Sequence, residues 1–292
     1  MTRRVIGASA ASRTTIRGMN NGNVSVPRAA PRPFGDYLRH WRRHRRLSQL
    51  ELAHQADVST RHLSFVETGR SMPSREMVLR LAERLDVPLR ERNQLLVAAG
   101  YAPMYRERPL DDPALGPARA AVDLILKSHE PYPALALDRH WNLVASNSML
   151  PHLLAGADPA LLQGTVNVMR LSLHPQGLAP NIVDLGQWRH HLFERLRQQI
   201  EATGDGVLVA LRDELRGYPA AQDAEEPRMH GEQLGIVMPF RLRTDFGVLN
   251  FISTTTIFGT PIDVTLQELA LETFFPADAQ TGEALRALKA SA

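Results

Sequence analysis

The stretch LSQLELAHQADVSTRHLSFVETGRSMPS, residues 47–74, decides the fold of the first part of this chain. Ser48 and Glu51 match the S-x-x-E capping box that begins a helix, and apolar residues follow at helical spacing. Ser59 is a second N-cap residue, and Gly69 stands where the next helix needs a left-handed C-terminal cap. The spacing predicts two short helices joined by about four residues, which is the corner of a helix-turn-helix.

The sequence on both sides extends this corner to a domain of five helices over residues 34–105. Phe34, Leu38 and Trp41 make one apolar stripe at i, i+4 and i+7, which predicts the first helix. Pro73-Ser74 stops and restarts the chain after the corner. The remaining predicted elements are a fourth helix with Met77, Leu81 and Leu85 on its apolar face and a fifth helix over Asn93–Ala99.

The third helix, after Ser59, is the predicted recognition helix for the major groove of DNA. Arg61 is the first candidate to read a base, because its fork can hold both acceptors of a guanine. Phe65 either touches a thymine methyl group or packs against the fourth helix, and Gln49 meets a phosphate at the start of the second helix. The full set of predicted DNA-binding residues is Gln49, Ser59, Thr60, Arg61, His62, Ser64, Phe65 and Arg70.

Five arginines between residues 39 and 46 are spread over several faces of the first helix. Arg42 lies one position from the apolar stripe, so we expect it to form a partly buried ion pair with Glu67, in a structural role.

Charge divides the chain. Residues 1–33 carry six arginines and no acidic residue, residues 34–107 have a net charge of +4, and residues 108–292 have a net charge of −7. A basic front joined to an acidic back indicates that only the front faces a polyanion. The excess of arginine over lysine carries no such weight, since a GC-rich genome explains it equally.

Composition also predicts the domain boundaries. Residues 1–33 lack apolar periodicity and are predicted to be a disordered basic tail that adds non-specific DNA affinity. An inert leader, or a translation start at Met19, explains the same stretch. Residues 106–116 are rich in Pro and charge, which predicts a linker, and residues 117–292 form the second domain.

The second domain has mixed signals that predict an α+β fold with antiparallel strands. Short strands are expected at Ala134–Leu137 and Trp141–Ala145, and amphipathic helices around residues 185–196 and 207–215. The pattern over residues 235–257 predicts a hairpin with its turn near residues 244–247. Thr265 and Glu268 form another capping box, which predicts a helix that ends near Phe275-Pro276.

The run from Leu47 to Pro103 resembles the xenobiotic-response-element (XRE) family of bacterial regulators, in particular the branch with a MmyB-like ligand-binding domain. The motifs PYPALALDRHWNLVASN at 131–147, HPQGLAP at 174–180 and FGTPIDVTLQELALETFFPAD at 258–278 continue the resemblance, which covers essentially everything after residue 33. It implies an all-α, lambda-repressor-like helix-turn-helix domain of five helices, followed by an α+β PAS-like domain that senses small, fatty-acid-like molecules.

The resemblance also has consequences for single residues. It implies that the positions of Gln49, Thr60, Arg61 and Ser64 face DNA, and that Arg42 and Glu67 pair internally. Leu50 departs from the family pattern, which usually has a polar or charged residue there, so its exposure to solvent stays open.

A PAS-like sheet with helices across one face encloses an interior that side chains fill or a ligand occupies. An ordinary core role is the simpler interpretation for each single candidate, and capping the next helix is the simpler role for Asn147. The candidate ligand-binding residues are Trp141, Asn147, Met149, Leu153, Met169, Trp188, Leu192, Phe240, Phe251 and Phe258.

Several chemistries lack support in the sequence. The chain has no cysteine, so thiolate catalysis and Cys-bound zinc are excluded. His190 and His191 point about 100° apart on a helix, so they do not readily bind one metal ion. No nucleotide-binding or hydrolase motif is present, so no catalytic residue and no cofactor other than a bound fatty acid or similar apolar molecule is expected.

The leading hypothesis is a cytoplasmic, sequence-specific transcription regulator that binds a double-stranded operator as a homodimer. It has no membrane segment, and a small apolar ligand changes its affinity for DNA. The alternative makes residues 117–292 a dimerisation or partner-docking module without a ligand. An enzyme tethered to DNA is a third reading with no motif behind it.

Overall fold

A computed structural model describes residues 33–219, 239–258 and 263–291. The predicted basic tail lies outside the described residues except for Pro33, as do the first residues of the predicted hairpin, 235–238.

The first domain consists of five short helices. Local signals in the sequence set most of their ends: Ser48 and Glu51 form the reciprocal capping box, and Ser59 and Ser74 each accept a hydrogen bond from the backbone three residues on. The helices are α1 (Phe34–His44), α2 (Gln49–Gln55), α3 (Thr60–Glu67), α4 (Arg75–Arg84) and α5 (Leu89–Ala98). The predicted start of α5 at Asn93 was wrong by four residues, because Pro88 begins the helix at Leu89.

The apolar stripe of α1 packs into the core of this domain against α3. At Gly35 the two helices approach so closely that a Cβ atom would lie 2.3 Å from the carbonyl oxygen of Glu67. Only glycine fits this position without moving the backbone. The apolar side chains of the stripe, Phe34, Leu38 and Trp41, are all buried.

The segment predicted as a linker is bonded to the second domain. The carbonyl oxygen of Arg106 accepts a hydrogen bond from the backbone N–H of Val264, and that of Arg108 accepts one from the hydroxyl of Thr265. Leu115 is buried in a single 3-10 turn over Pro113–Leu115 that leads into the next helix. The connection is therefore fixed at its C-terminal end.

The second domain combines helices with a five-stranded antiparallel sheet, so the predicted α+β class is confirmed. The strands are β1 (Ala134–Leu137), β2 (Leu143–Ser146), β3 (Pro239–Thr244), β4 (Gly247–Ile257) and β5 (Ala270–Pro276). The helices are α6 (Gly116–Ser128), α7 (Leu150–Leu153), α8 (Val168–Leu173), α9 (Leu185–Thr203), α10 (Gly206–Arg216), α11 (Val264–Gln267) and α12 (Ala279–Ser291).

The strand order is β2-β1-β5-β4-β3, with β5 in the centre between β1 and β4. Successive side chains of a strand point to opposite sides, and every residue of β1 is buried, so β1 is covered on both faces. Leu135 and Leu137 join the large core with α8, α9 and α10, whereas Ala134 and Ala136 pack in a small core with α6.

The prediction of a helix that ends near Phe275-Pro276 was wrong. Asp263, not Thr265, caps a single turn, α11, and residues 270–276 form the central strand β5. The capping signal in the sequence is genuine, but it starts only one turn of helix. Residues 270–276 form a strand instead, because pairing with β1 on one edge and β4 on the other satisfies their backbone N–H and carbonyl groups.

Candidate DNA-binding surface and ligand cavities

The corner between α2 and α3 has the backbone of a helix-turn-helix. Asp57 adopts a left-handed conformation (φ 52°), and the N–H of Val58 bonds to the carbonyl oxygen of Ala53, which closes α2. Ser59 then caps α3 by accepting a hydrogen bond from the N–H of His62. With Leu63 and Val66 buried, the opposite face of α3 is available to a partner.

That outward face carries Arg61 as an exposed side chain, with Ser64 and Phe65 half-buried beside it. The guanidinium carbons of Arg61 and Arg70 lie 5.4 Å and 6.0 Å from the centre of the Phe65 ring. Phe65 therefore restrains both cations by cation–π contacts, a positioning role not predicted from the sequence. Thr60 and His62 are half-buried, and the cap Ser59 is exposed.

Gln49 is engaged inside the domain. Its amide nitrogen donates a hydrogen bond of 2.7 Å to Glu67, so only the rest of the amide is available for a phosphate. Leu50, beside it, is 67% exposed, which places the residue that departs from the family pattern on the surface.

Glu67 is the centre of a buried polar network under α3. Arg42 donates to both of its carboxylate oxygens, at 2.6 and 3.0 Å, so the expected ion pair is present. Arg39 donates to the backbone carbonyl of Glu67 as well. Burial acts to raise the pKa of the Glu67 carboxyl, but hydrogen bonds from Arg42 and Gln49 outweigh it, and the pKa lies below its ordinary value.

The second domain contains an apolar inner cavity of about 90 Å³ between the sheet and α8–α9. Six of the predicted ligand-binding residues line it: Trp141, Leu153, Met169, Trp188, Leu192 and Phe240. The lining also includes two charged residues that were not predicted from the sequence, Arg195 and Glu272.

Four predicted ligand-binding residues do not line the inner cavity. Met149 and Phe251 are buried in the packed core of the second domain, and Phe258 is half-buried in the small core near α6. Asn147 holds the backbone together: its side chain accepts from Ala134 and Met149 and donates to two carbonyl oxygens. With these four bonds its amide is fully occupied, so the predicted role as a ligand anchor was wrong.

A larger outer pocket of about 490 Å³ lies between the two domains. Pro88 and Glu91 of the DNA-binding domain line one side, and the turn between β1 and β2 and the C-terminal half of α9 line the other. Burial raises the pKa of the Glu91 carboxyl. Asp205 also lines this pocket; the hydrogen bond from His140, 2.9 Å long, is the main cause that lowers the pKa of its carboxyl to about 2.

The two cavities share part of their walls. Leu137, Trp141, Arg195 and Glu272 line both. The guanidinium of Arg195 lies 4.6 Å from the centre of the Trp141 ring and donates a 2.6 Å hydrogen bond to the buried Glu272. The sequence contained a signal for this residue, because Arg195 follows Trp188 and Leu192 at i+7 and i+3, a cation on an apolar stripe.

Helix α9 connects the cavities to the DNA-binding domain. Its middle lines the inner cavity, and its last carbonyl groups accept hydrogen bonds from the end of α1: Arg45 donates to Glu201 and Ala202, and His44 to Glu201. A second contact joins Arg90 of α5 to Glu268 through two hydrogen bonds of 2.8 Å. The two cavities and the five-helix domain are thus neighbours in one packed arrangement.

Within residues 33–219, 239–258 and 263–291, no group of three or more His, Cys, Asp or Glu residues could hold a metal ion. No helix in the same ranges is long and apolar enough to cross a membrane.

A helix-turn-helix domain followed by an α+β domain with an apolar cavity is the architecture of a ligand-responsive transcription regulator. Residues 118–288, more than half of the chain, match the MmyB-like transcription regulator ligand binding domain, and residues 33–95 match a helix-turn-helix domain. The chain therefore belongs to the family of MmyB-like transcription regulators.

No curated protein matches the chain. Among solved structures, the chain is similar to one described as the structure of an RNA-binding Light-Oxygen-Voltage receptor, at 13% identity and a TM-score of 0.24. The aligned region covers 89% of this chain and 64% of the receptor, which is less than two thirds of the receptor's length.

Proposed function

We propose that this regulator binds a specific two-fold operator in double-stranded DNA as a homodimer, in the cytoplasm, and that its second domain binds a small apolar, fatty-acid-like ligand. The observation that carries the proposal is the junction of the two domains. An apolar cavity in the second domain adjoins a pocket that α5 of the DNA-binding domain lines. A ligand at this junction interacts differently with different domain arrangements, which is what coupling to operator affinity requires.

The surface of α3 supports base readout. Arg61 is exposed and held over Phe65, so its fork is partly ordered before DNA arrives. In a dimer, two such helices enter successive major grooves about 34 Å apart. Arg70 and the start of α2 then lie near the phosphates.

Binding of the full chain to DNA from its own upstream region, at several salt concentrations, tests the DNA proposal. The Arg61→Ala variant is expected to lose about 1–3 kcal/mol of binding free energy on the operator and little on unrelated DNA. Arg43→Ala, which removes an exposed cation from α1, is the matched control and is expected to weaken binding to all sequences alike, if at all. Equal, weak binding of all three proteins to every sequence would contradict base readout by α3.

The dimer is tested by light scattering of the protein on and off the operator. One operator is expected to hold two chains, with a half-site symmetry visible in footprints. A single chain bound to an asymmetric site would overturn the proposed homodimer.

A second candidate function is favoured by one observation: the inner cavity, at about 90 Å³, is smaller than the roughly 300–1,000 Å³ of typical ligand pockets. The second domain would then only dimerise or dock a partner around a nearly filled core. Extraction of the purified protein with organic solvent, followed by mass spectrometry, and titration with dodecanoate separate the two functions. A stoichiometric apolar compound or saturable binding supports sensing, whereas a clean extract without binding supports the docking module.

A further inference from the structure

The outer pocket has a charge that the apolar inner cavity lacks. Its lining contains two arginines, Arg139 and Arg195, and five carboxylates, which leaves an excess of three negative charges. A concave surface with an excess of one charge attracts small ions of the opposite charge. The carboxylates belong to Glu91, Asp138, Asp205, Glu268 and Glu272.

Three of these carboxylates are engaged within the protein. Glu268 accepts two hydrogen bonds from Arg90, and Asp205 accepts one from His140. Asp138 accepts hydrogen bonds from backbone N–H groups in the turn between β1 and β2. These three groups hold the walls of the pocket together, so they are not the first candidates to bind a ligand.

Glu91, on α5 of the DNA-binding domain, is in a different situation. Its side chain is half-buried, and within the described residues its carboxylate accepts a hydrogen bond only from its own backbone N–H. Arg139 and Arg90 act on it only from beyond ion-pair distance, and burial raises the pKa of the carboxyl. A carboxylate that is partly removed from water without a partner is costly. A cationic ligand would supply the missing partner.

Glu272 supplies a second open acceptor, in the wall that belongs to the second domain. Its side chain is only 6% exposed, and its hydrogen bonds from Arg195 Nη2 and Thr255 Oγ1 both end on Oε1. Within the described residues Oε2 therefore stays without a donor, although the residue lines the pocket. Arg195 keeps its Nε and Nη1 groups unused as well, so a small anion is the competing occupant.

Much of the remaining lining is apolar. Leu137, Trp141 and Leu208 contribute to it, as does Ile257, which is 66% exposed. The volume of about 490 Å³ lies within the range of roughly 300–1,000 Å³ that small-molecule sites have. Such a lining, with few groups that need a partner, suits a ligand with one charge and an apolar body.

We propose that the outer pocket binds a small organic cation: a primary ammonium group pairs with Glu91, and an apolar body packs against Trp141 and Ile257. The open oxygen of Glu272 adds negative potential from the second domain. This inference goes beyond the proposed function, because it concerns a second ligand of opposite charge in a different cavity. A cation held there contacts both domains at once.

Three compounds of similar size test the charge of the ligand: 4-phenylbutylamine, 4-phenylbutanol and 4-phenylbutanoate. Each is titrated into the full chain by calorimetry at neutral pH, where the amine is protonated as lysine is. The wild type is expected to bind the amine about tenfold more tightly than the alcohol, because a charge-assisted hydrogen bond contributes that much. The acid is expected to bind no more tightly than the alcohol.

Glu91→Gln keeps the shape of the side chain and removes its charge. This variant is expected to lose the preference for the amine and to bind the alcohol within about twofold of the wild type. Glu83→Gln makes the same change at an exposed position of α4 and is expected to behave as the wild type.

Ala202→Phe tests the position of the site independently. Ala202 is an exposed residue near the end of α9 that lines the outer pocket, so a ring there occupies the space of the ligand. The variant is expected to weaken binding of the amine and the alcohol alike. It leaves Glu91 in place, so it tests the site even if Glu91→Gln fails to fold.

The outcomes are distinct. Absence of amine binding, equal affinity of the wild type for amine and alcohol, or tightest binding of the acid would overturn the cation site. A Glu91→Gln variant that keeps the full preference, or unchanged binding by Ala202→Phe, would overturn it as well. Titration with dodecanoate tests the proposed function separately, so either idea can fail while the other stands.

Discussion

Each of the two domains buries a glutamate against an arginine, and the surroundings of the two pairs differ. Glu67 accepts hydrogen bonds from Arg42 and Gln49, and its side chain is fully buried among packed helices. Glu272 accepts hydrogen bonds from Arg195 and Thr255, but the inner cavity and the outer pocket both adjoin it.

The difference teaches what each pair does. A pair whose donors and acceptors are satisfied within a closed core fixes one arrangement of helices. A pair at the wall of two cavities keeps unused donors, so it can exchange partners with a ligand. We therefore expect changes at the first pair to alter the stability of the fold and changes at the second to alter ligand binding.

The largest effect is expected from Arg42→Ala. It leaves the buried Glu67 carboxylate without its main partner, so the free energy of unfolding of the DNA-binding domain should fall by about 3–5 kcal/mol. Denaturant unfolding followed by circular dichroism measures this. Arg43→Ala, on the exposed face of the same helix, should change stability by less than about 0.5 kcal/mol. Similar values for the two variants would show that the Glu67 network does not hold the helices.

Asp205 gives the second domain an acid sensitivity of its own. The pKa of its carboxyl is lowered to about 2 by the hydrogen bond from His140, so the charged form stabilises the fold above about pH 4. This contribution is lost as the pH falls from about 4 to 2. Asp205→Asn should therefore unfold more easily than the wild type at pH 7 and equally at pH 2.

Unfolding in urea at both pH values measures this difference. Asp213→Asn is the control, because that carboxylate is exposed on the surface of α10. A gap between Asp205→Asn and the wild type that stays constant with pH would contradict the proposed cause.

A smaller difference in stability between the domains is expected when volume is added to their cores. Leu63→Phe adds volume to a filled core and should cost about 1–3 kcal/mol. Leu192→Phe adds the same volume beside the inner cavity, so its cost should stay below about 1 kcal/mol. Thermal unfolding compares the two, and Leu192→Phe should also weaken binding of dodecanoate. Equal costs would mean that the inner cavity closes in solution.

The smallest effect is expected at the contact between the domains. Arg45→Gln removes hydrogen bonds to the end of α9 and also those that Arg45 donates to Leu85 and Asp86 in its own domain, so stability should fall by about 1 kcal/mol. Its effect should appear instead in the change of operator affinity caused by dodecanoate. Arg43→Gln is the control on the same helix. Full retention of the ligand response by Arg45→Gln would show that α9 and α1 do not transmit it.

Much of the DNA-binding domain could be predicted because its signals are local. Ser48, Ser59 and Ser74 cap their own helices within three residues, and Gly69 ends α3. The apolar stripe of α1 likewise follows from the helical period. The start of α5 was predicted less well, since Pro88 rather than a polar side chain begins it.

The second domain was harder because its elements depend on distant partners. Residues 270–276 follow a helical cap, yet they form β5, which satisfies its backbone on strands more than a hundred residues away on one side. The lining of the inner cavity was predicted in part. Large apolar residues on α8 and α9 line it, but Phe251, which is equally large and apolar, is buried in the packed core away from the cavity. Which apolar residue borders a void depends on packing between elements, and periodicity within one element does not contain that information.

By itself, the sequence determined the class of protein, the helix-turn-helix with its outward Arg61 and its Arg42–Glu67 pair, and the α+β character of the second domain. These features depend on residues within one or two turns of helix or on an uninterrupted family pattern. Only the tertiary structure decided that Arg195 and Glu272 stand between two cavities and that α5 borders the outer one. The reason is that a cavity is space left between elements, and the chain specifies this space only once all its walls have packed.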